Sequence, residues 1–292
     1  MSFSQFLQYV FSGITSGSIY ALTALGFTLI YNATDIINLA QGEFVMLGGL
    51  TAISLHRFGL SLPLSVVGAI AVVTVIGIVF ELLAIRPLLR AGVMAQIIVT
   101  VGAALALRTV AMILWGRDAL SLPSFSGDNP IRVLGGTILP QTLWVVGLTL
   151  LILVVLQFFY RKTIMGKAVR ACSVNPVAAR LMGISYKRVV LISFAVSAAI
   201  SAAGGVLLTP ISFMSYSMGS MIGLKGFAAA VLGGLGNPVG AVVGGFAIGI
   251  IEALSVGVMD AGYKDAVAFV ILLVVLFVRP TGLLGSRSAE KV

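Results

Sequence analysis

A basic, hydrophilic stretch interrupts an otherwise very apolar chain, and from residue 161 to residue 184 it reads RKTIMGKAVRACSVNPVAARLMGI. Asn175 is a favourable helix N-cap because its side-chain oxygen can accept an orphan backbone N–H, and Pro176 suits the first helical position, where no donor is needed. Gly183 can take the left-handed conformation that closes a helix. The stretch therefore predicts a short, capped helix in a loop between apolar segments.

The predicted helix carries an apolar stripe at positions i, i+1, i+4 and i+5, formed by Val177, Ala178, Leu181 and Met182. Arg180 lies off this stripe. A helix of one or two turns is marginal alone in water, so we expect it to be held against something. Docking on another protein is the interpretation that we favour, and a helix lying on the lipid surface is the alternative.

The composition identifies the class of protein. Of the 292 residues, 59% are hydrophobic and only 9% are charged, and the mean hydropathy is +1.14. A soluble domain carries about 25% charged residues, whereas long apolar runs recur along the whole of this chain. We therefore predict an all-α membrane protein built as a polytopic helical bundle.

Eight or nine spans are expected, and the first apolar segment is interpreted as a retained span rather than a signal peptide. The predicted spans lie near 8–31, 36–55, 62–84, 92–115, 141–160, 188–210, 219–235, 238–257 and 264–278. Segments 36–55 and 219–235 are short or interrupted by glycine, so we expect short, broken helices there. The predicted divisions are a first repeat (1–115), an external loop (116–140), a linking span (141–160), a cytoplasmic coupling loop (161–188), a second repeat (189–278) and a cytoplasmic tail (279–292).

The formal charge of +9 comes from basic clusters in the 161–188 loop, at Arg86 and Arg90, and in the tail at Arg279, Arg287 and Lys291. Clusters of this kind mark cytoplasmic loops, which explains the charge without nucleic-acid binding. We therefore expect a multi-pass protein of the bacterial inner membrane with its N-terminus outside and its C-terminus in the cytoplasm.

Two small-residue patterns bear on helix packing. The run Met46-Leu47-Gly48-Gly49-Leu50 is echoed by Val231-Leu232-Gly233-Gly234-Leu235. Each copy is followed by a proline and then by a span that ends in a glutamate, Glu81 after the first copy and Glu252 after the second. This order predicts an inverted repeat, and chance similarity is the alternative. Small residues four apart, which let helix backbones approach closely in lipid, are Gly13, Gly17 and Ala21, Gly240 and Gly244, and Ala241, Gly245 and Gly249.

Enzymatic chemistry is not supported by the sequence. Cys172 is the only cysteine and His56 the only histidine, and a reduced thiol is expected for Cys172 in a cytoplasmic loop. A Walker A motif, a Ser/His/Asp set and a metal cluster are all missing from the sequence pattern. Energy for uphill transport must therefore come from an ion gradient or from a partner.

Charged side chains within spans are costly and should face protein or water. They are Glu43, Glu81, Arg108, Lys225 and Glu252. Glu43 and Lys225 fall in the two glycine-interrupted segments. We hypothesise that these two approach one another or line a translocation pathway together with Asn38, Gln41 and Gly42. A structural ion pair that only stabilises the bundle is the alternative.

Several motifs in order along the chain resemble the permease subunits of branched-chain amino-acid ABC importers of the high-affinity leucine/isoleucine/valine type. The matching runs begin at Gly17-Ser18-Ile19-Tyr20, Ile37-Asn38-Leu39-Ala40-Gln41-Gly42-Glu43, Met165-Gly166-Lys167, Asn175-Pro176, Lys225-Gly226-Phe227, Ala230-Val231-Leu232-Gly233-Gly234 and Arg279-Pro280-Thr281-Gly282. The resemblance extends nearly from end to end.

The resemblance implies a transport subunit without enzymatic activity or a cofactor of its own, since ATP and Mg²⁺ would be held by partner ATPase subunits. It further implies a second permease subunit, or a copy of this chain, two cytoplasmic ATPase subunits, and a periplasmic binding protein that delivers the solute. The ATPase-coupling segment would comprise Asn175, Pro176, Val177, Ala178, Ala179, Arg180, Leu181, Met182 and Gly183.

An ion-coupled secondary transporter of a small solute is the alternative function. It would also show inverted repeats and broken helices, but it would leave the capped loop helix unexplained. A passive channel fits the small residues and leaves the same helix without a role. The importer interpretation explains both features.

Overall fold

The computed structural model describes residues 2–89, 91–133 and 136–285, so Arg90, Arg287 and Lys291 lie outside the described residues. The fold is almost entirely helical. Its α-helices are α1 (Phe3–Thr34), α2 (Gln41–Arg57), α3 (Leu62–Phe80), α4 (Val93–Trp115), α5 (Pro140–Lys162), α6 (Ile164–Val174), α7 (Pro176–Leu181), α8 (Tyr186–Leu208), α9 (Met218–Gly233), α10 (Pro238–Val256) and α11 (Lys264–Val278). A π-helical turn (Glu81–Ile85) and a 3-10 turn (Arg86–Leu88) continue α3, and a 3-10 turn (Ala261–Tyr263) precedes α11.

A small antiparallel hairpin lies between α4 and α5. It consists of β1 (Ile131–Val133) and β2 (Gly136–Ile138), and Arg132 is paired with Thr137. The sequence predicts a loop in this region and did not indicate these strands.

Six helices of the described residues are long and apolar enough to cross a membrane: α1, α3 with its continuation to Leu88, α4, α5, α8 and α10. Helices α2, α9 and α11 have 17, 16 and 15 residues. At 1.5 Å per residue they cover about 26, 24 and 22 Å, less than the ~30 Å hydrocarbon core. The predicted count of eight or nine full spans is therefore too high, and the expectation of short helices is confirmed.

Helix α1 forms the centre of the bundle, where it packs along α8, α9 and α10. The small residues of α1 and α10 face one another. A Cβ atom added at Gly245 would lie 2.5 Å from the backbone nitrogen of Ala21, and one at Gly17 would lie 2.9 Å from the carbonyl oxygen of Gly245. The prediction that these small residues allow close helix packing is confirmed.

Gly245→Leu should destabilise the folded chain by at least about 1–3 kcal/mol, because the side chain would collide with the backbone of α1. Thermal unfolding of the purified chain in detergent measures the change. Gly147→Leu on α5 is the matched control, since no other element among the described residues comes within 4 Å of a Cβ at that position. Equal losses of stability in the two variants would contradict the packing described for α1 and α10.

The bundle has two distinguishable ends. One end, which we call the basic end, has a cavity that is lined by Asn32, Arg161, Arg170 and Asn237. At this end the side-chain amide of Asn237 donates to the carbonyl of Leu284 at 2.9 Å. The opposite end holds the β1–β2 hairpin, which is tied to α1 where the Thr137 backbone N–H and hydroxyl donate to the side-chain oxygen of Gln8. The loop helix α7 and the start of α8 belong to the basic end, because α7 follows α6 and α6 packs on α5.

Candidate functional site

Helix α2 begins inside the bundle rather than at its end. The side-chain amide of Gln41 donates to the Ser201 hydroxyl at 2.5 Å and to the Ser197 carbonyl at 3.4 Å, and both serines lie in the middle of α8. Asn38 is fully buried and accepts a hydrogen bond from the backbone N–H of Ala40 at 3.2 Å. These two side chains therefore hold the non-helical segment that leads from α1 into α2.

The first turns of α2 and α9 cross in close contact. A Cβ atom added at Gly42 would lie 2.6 Å from the Cα of Gly223, so only glycine lets the two backbones meet there. Helix α9 also follows a long non-helical segment, residues 209–217. Two interrupted helices thus bring their N-termini, which carry partial positive charge, to one place in the bundle.

Glu43 lies at this crossing. It is 1% exposed, and its Oε1 accepts hydrogen bonds from the Arg108 guanidinium at 3.4 Å and from the Ser220 hydroxyl at 3.1 Å. Arg108 comes from α4 and Ser220 from the first turn of α9. The converging helix N-termini and the guanidinium stabilise a carboxylate that would be costly in the apolar interior.

Lys225 belongs to a separate cluster. Its ammonium group lies 2.7 Å from the Glu252 carboxylate and 2.6 Å from the Asp265 carboxylate, and it donates to the Tyr20 hydroxyl at 3.2 Å. The Tyr20 hydroxyl in turn donates to the other oxygen of Glu252 at 3.0 Å. The cluster ties α1, α9, α10 and α11 together and lines a polar cavity of about 400 Å³, which Lys264 also lines.

The structure places Glu43 and Lys225 in different ion pairs, so the hypothesis that they approach one another is wrong. Glu43 is paired with Arg108 of α4, and Lys225 is paired with Glu252 of α10 and Asp265 of α11. The sequence analysis did not predict either pairing. Asn38, Gln41 and Gly42 are brought together with Glu43 at the start of α2. The sequence analysis missed the contacts of Tyr20 and Asp265 with Lys225 and of Ser220 with Glu43. Only Asp265 could have been identified, because it is a charged residue placed directly before an apolar run.

The predicted helix in the basic loop is present as α7, and its start and stop are confirmed. The Asn175 side-chain oxygen accepts the backbone N–H groups of Val177 at 2.9 Å and Ala178 at 3.0 Å. Gly183 has a φ of +83°, and the Ile184 N–H reaches back to the carbonyl of Ala179 at 3.1 Å. Capping at both ends therefore fixes a helix of only 6 residues.

The apolar stripe of α7 faces away from the chain. Val177, Leu181 and Met182 are 61%, 85% and 83% exposed, and Ala178 is also exposed, whereas Ala179 on the other side is 4% exposed. Three large apolar side chains in a row on an exposed helix are typical of a contact surface rather than of a solvated loop.

Arg180 connects α7 to the start of α8. Its Nε donates to the carbonyl of Pro176 at 3.1 Å, and its guanidinium lies 5.2 Å from the centre of the Tyr186 ring. A contact of this kind contributes about 0.5–1 kcal/mol at an exposed site. The contact therefore joins α7 to the start of α8.

Helix α6, which precedes α7, was missed by the sequence analysis. The Thr163 hydroxyl caps it by accepting the Gly166 N–H at 2.9 Å, and Gly166, Val169 and Cys172 form its buried side. Their spacing of three residues was the available signal. Burial raises the pKa of the Cys172 thiol, more than the neighbouring Arg180 lowers it, which disfavours the reactive thiolate.

The part of the chain that the structure describes contains no group of three or more His, Cys, Asp or Glu residues placed to hold a metal ion. Its buried carboxylates each lie in an ion pair, between helices for Glu43 and Glu252 and within the continuation of α3 for Glu81. The described residues thus combine two short helices that follow non-helical segments, polar cavities and a loop helix with an exposed apolar face.

Comparisons with known proteins agree with this description. The model of the family described as "Branched-chain amino acid transport system / permease component" matches residues 9–276. The high-affinity branched-chain amino acid transport system permease protein LivH of Escherichia coli (strain K12) is 36% identical over an alignment that covers 99% of each chain.

Two further relatives extend the comparison. The high-affinity branched-chain amino acid transport system permease protein BraD of Pseudomonas aeruginosa is 33% identical, with 98% of each chain covered. A probable branched-chain amino acid transport permease protein LivH of Methanocaldococcus jannaschii is 30% identical, with 93% of this chain and 90% of the relative covered. The chain therefore belongs to the family of branched-chain amino acid transport system permease components and is a multi-pass inner-membrane permease subunit of an ABC importer, not a catalytic enzyme.

Proposed function

We propose that this chain forms the membrane pathway of an ATP-driven importer for branched-chain amino acids or a related small polar solute. It pairs with a second permease subunit, which is a relative or a copy of itself, and two ATPase subunits bind the basic end. A binding protein delivers the solute at the opposite end. The exposed apolar stripe of α7 is the single observation that carries the proposal, because a protein docked at the basic end would cover it.

The proposed orientation follows from the charges. The basic end contains Arg161 and Arg170, and the C-terminal segment reaches it through the contact of Asn237 with Leu284. Basic loops usually face the cytoplasm, which supports an orientation with α7 and the segment that ends at Gly285 on the side where ATP is available.

The proposed mechanism uses a continuous series of contacts. Closure of the ATPase subunits moves α7, and Arg180 transmits the movement to Tyr186 at the start of α8. Helix α8 holds the start of α2 through Ser201 and Gln41. The crossing of α2 and α9 then shifts, and the pathway changes between inward-facing and outward-facing forms. Nucleotide is bound and hydrolysed in the partner subunits.

Residues at the interrupted helices are proposed to lie along the pathway, namely Asn38, Gln41, Gly42, Glu43 and Lys225. Support comes from the burial of the polar side chains of Asn38, Gln41, Glu43 and Lys225. Glu43 also lines the cavity at the α2–α9 crossing, and Lys225 lines the cavity at its own cluster. Discontinuous helices with polar ends are the usual sites of substrate contact in membrane transporters.

We further propose that the two halves of the chain form an inverted repeat. Helices α2 and α9 are both short and both follow a non-helical segment. Helices α3 and α10 each begin with a proline in the first turn, at Pro63 and Pro238, and each leads to a buried glutamate, Glu81 or Glu252. This correspondence supports the duplication suggested by the repeated glycine motif.

Gentle affinity purification of the tagged chain from its native membrane tests the proposed assembly. We expect a second permease and an ATPase subunit to be recovered and identified by mass spectrometry. Leu181→Asp should remove the ATPase subunit, because it places a charge in the centre of the apolar stripe. Phe58→Asp, at the opposite end and 83% exposed, is the matched control and should retain it. Recovery of the ATPase with Leu181→Asp would show that α7 is not the docking surface.

A further inference from the structure

We propose that the half-open cavity between α1, α2, α4 and α9 binds a zwitterionic amino acid with an apolar side chain, with Arg108 recognising its carboxylate and Glu43 its ammonium group. The inference rests on the proposed transport function and deepens it. It assigns a recognition site to the permease itself, within the membrane, in addition to any selection by a binding protein.

The cavity has a volume of about 230 Å³ and combines one acidic, one basic and several apolar side chains. Glu43, Arg108 and Ser220 are its polar members. Phe27 and Phe227, whose ring centres lie 5.7 Å apart, form an aromatic wall, and Leu105 and Leu224 add aliphatic surface. Pockets for drug-sized ligands measure about 300–1,000 Å³, so this cavity suits a smaller solute.

Two buried polar atoms here lack partners within the described residues. They are Oε2 of Glu43 and Nε of Arg108. The ion pair that joins the two side chains is long, at 3.4 Å, whereas charge-assisted hydrogen bonds of this type are about 2.7–2.9 Å. Both groups therefore keep hydrogen-bonding capacity, and leaving it unused is unfavourable. The two atoms are covered in this form of the chain, so a solute would reach them by opening the long Glu43–Arg108 contact.

An α-amino acid matches this unused capacity with one group for each charge. Its carboxylate accepts from the guanidinium, and its ammonium group donates to the Glu43 carboxylate. A simple amine would leave Arg108 Nε without an acceptor, and a simple carboxylic acid would leave Glu43 Oε2 without a donor. The aromatic and aliphatic wall supplies the surface that an apolar side chain would bury.

The position of the cavity suits recognition during transport. Glu43 and Ser220 lie in the first turns of α2 and α9, the two helices that cross at Gly42. A shift of this crossing separates Glu43 from Ser220 and changes the distance between the two charges. The solute would therefore be bound tightly in one form of the pathway and released in the other.

Equilibrium binding of labelled L-leucine to the purified assembly in lipid nanodiscs, without the binding protein, tests the inference. Leucinamide, which lacks the carboxylate, and 4-methylpentanoate, which lacks the ammonium group, are the competing probes. Each should bind roughly 10- to 100-fold more weakly than L-leucine, because each loses hydrogen bonds to a charged group. Arg108→Met should remove the preference for L-leucine over leucinamide, and Glu43→Gln the preference over 4-methylpentanoate.

Arg108→Lys is the second variant, because it keeps the charge in the bundle and should retain part of the preference over leucinamide. Arg86→Met is the matched control. It breaks a buried ion pair of similar type, that of Arg86 with Glu81 at 3.0 Å, outside the cavity, and it should leave both preferences unchanged. The inference would be overturned if Arg108→Met still bound L-leucine more tightly than leucinamide by the wild-type factor. It would also be overturned if the variant lost the same fraction of its affinity for L-leucine, leucinamide and 4-methylpentanoate.

The outcome can be separated from that of the transport function itself. ATP-driven uptake by the wild-type assembly with its binding protein tests the importer. If that uptake occurs and the assembly alone binds no L-leucine, the cavity inference is overturned and the importer stands. If the wild-type assembly takes up no solute with ATP, the proposed function fails instead.

Discussion

Lys225→Met should destabilise the folded chain by about 3–5 kcal/mol, because it leaves the buried Glu252 carboxylate without its cation and also removes the partner of the half-exposed Asp265 carboxylate. Lys225 is 4% exposed and holds Glu252 and Asp265 at 2.7 and 2.6 Å. The cluster joins four helices, so its loss should also loosen α9 and α11 against α1. Thermal unfolding of the purified chain, followed by size-exclusion chromatography in detergent, measures both effects.

Two further variants show whether the destabilisation comes from breaking the ion pairs or from removing any lysine at this place. Lys264→Met removes the exposed neighbouring lysine that lines the same cavity, and it should change stability little. Adding Glu252→Gln and Asp265→Asn to Lys225→Met removes the unpaired charges and should restore part of the stability. If Lys225→Met unfolds at the wild-type temperature, the cluster does not stabilise the bundle.

Arg180→Glu should uncouple ATP hydrolysis from transport. The substitution removes the contact with Tyr186 that joins α7 to α8, whereas the apolar stripe that docks on the ATPase remains intact. The lost contact contributes about 0.5–1 kcal/mol, so the solute transported per ATP hydrolysed should fall by about 2- to 5-fold. Uptake and phosphate release by the same reconstituted assembly give this ratio.

Lys187→Met is the control for this experiment, because it removes a neighbouring exposed positive charge without touching the Arg180–Tyr186 contact. It should keep the wild-type ratio of transport to hydrolysis. A wild-type ratio in Arg180→Glu would contradict the transmission of movement from α7 to α8. Copurification of the ATPase subunit with both variants shows that the assembly is intact.

Local chemistry made the loop helix predictable from the sequence. Asn175, Pro176 and Gly183 act through their own backbone and the adjacent turn, so their roles do not depend on the rest of the fold. The close packing of Gly17 and Gly245 was predictable for a similar reason, since the spacing of small residues places them on one helix face.

Features that depend on distant partners were not predictable. Residues 36–40 are apolar enough to extend a span, but they are not helical, because Asn38 bonds the Ala40 backbone and Gln41 reaches the middle of α8. The charges of Glu43 and Lys225 were identified as important, yet their partners come from other helices. Hydropathy shows that a charge is buried, but it carries no information on which helix supplies the opposite charge.

Uptake of labelled L-leucine by proteoliposomes that contain the complete assembly and its binding protein tests the importer most directly. Hydrolysable ATP supplied to the ATPase side should drive accumulation, and a proton or sodium gradient imposed without ATP should drive none. Accumulation that follows the ion gradient and does not require ATP would contradict the importer and would identify an ion-coupled secondary transporter.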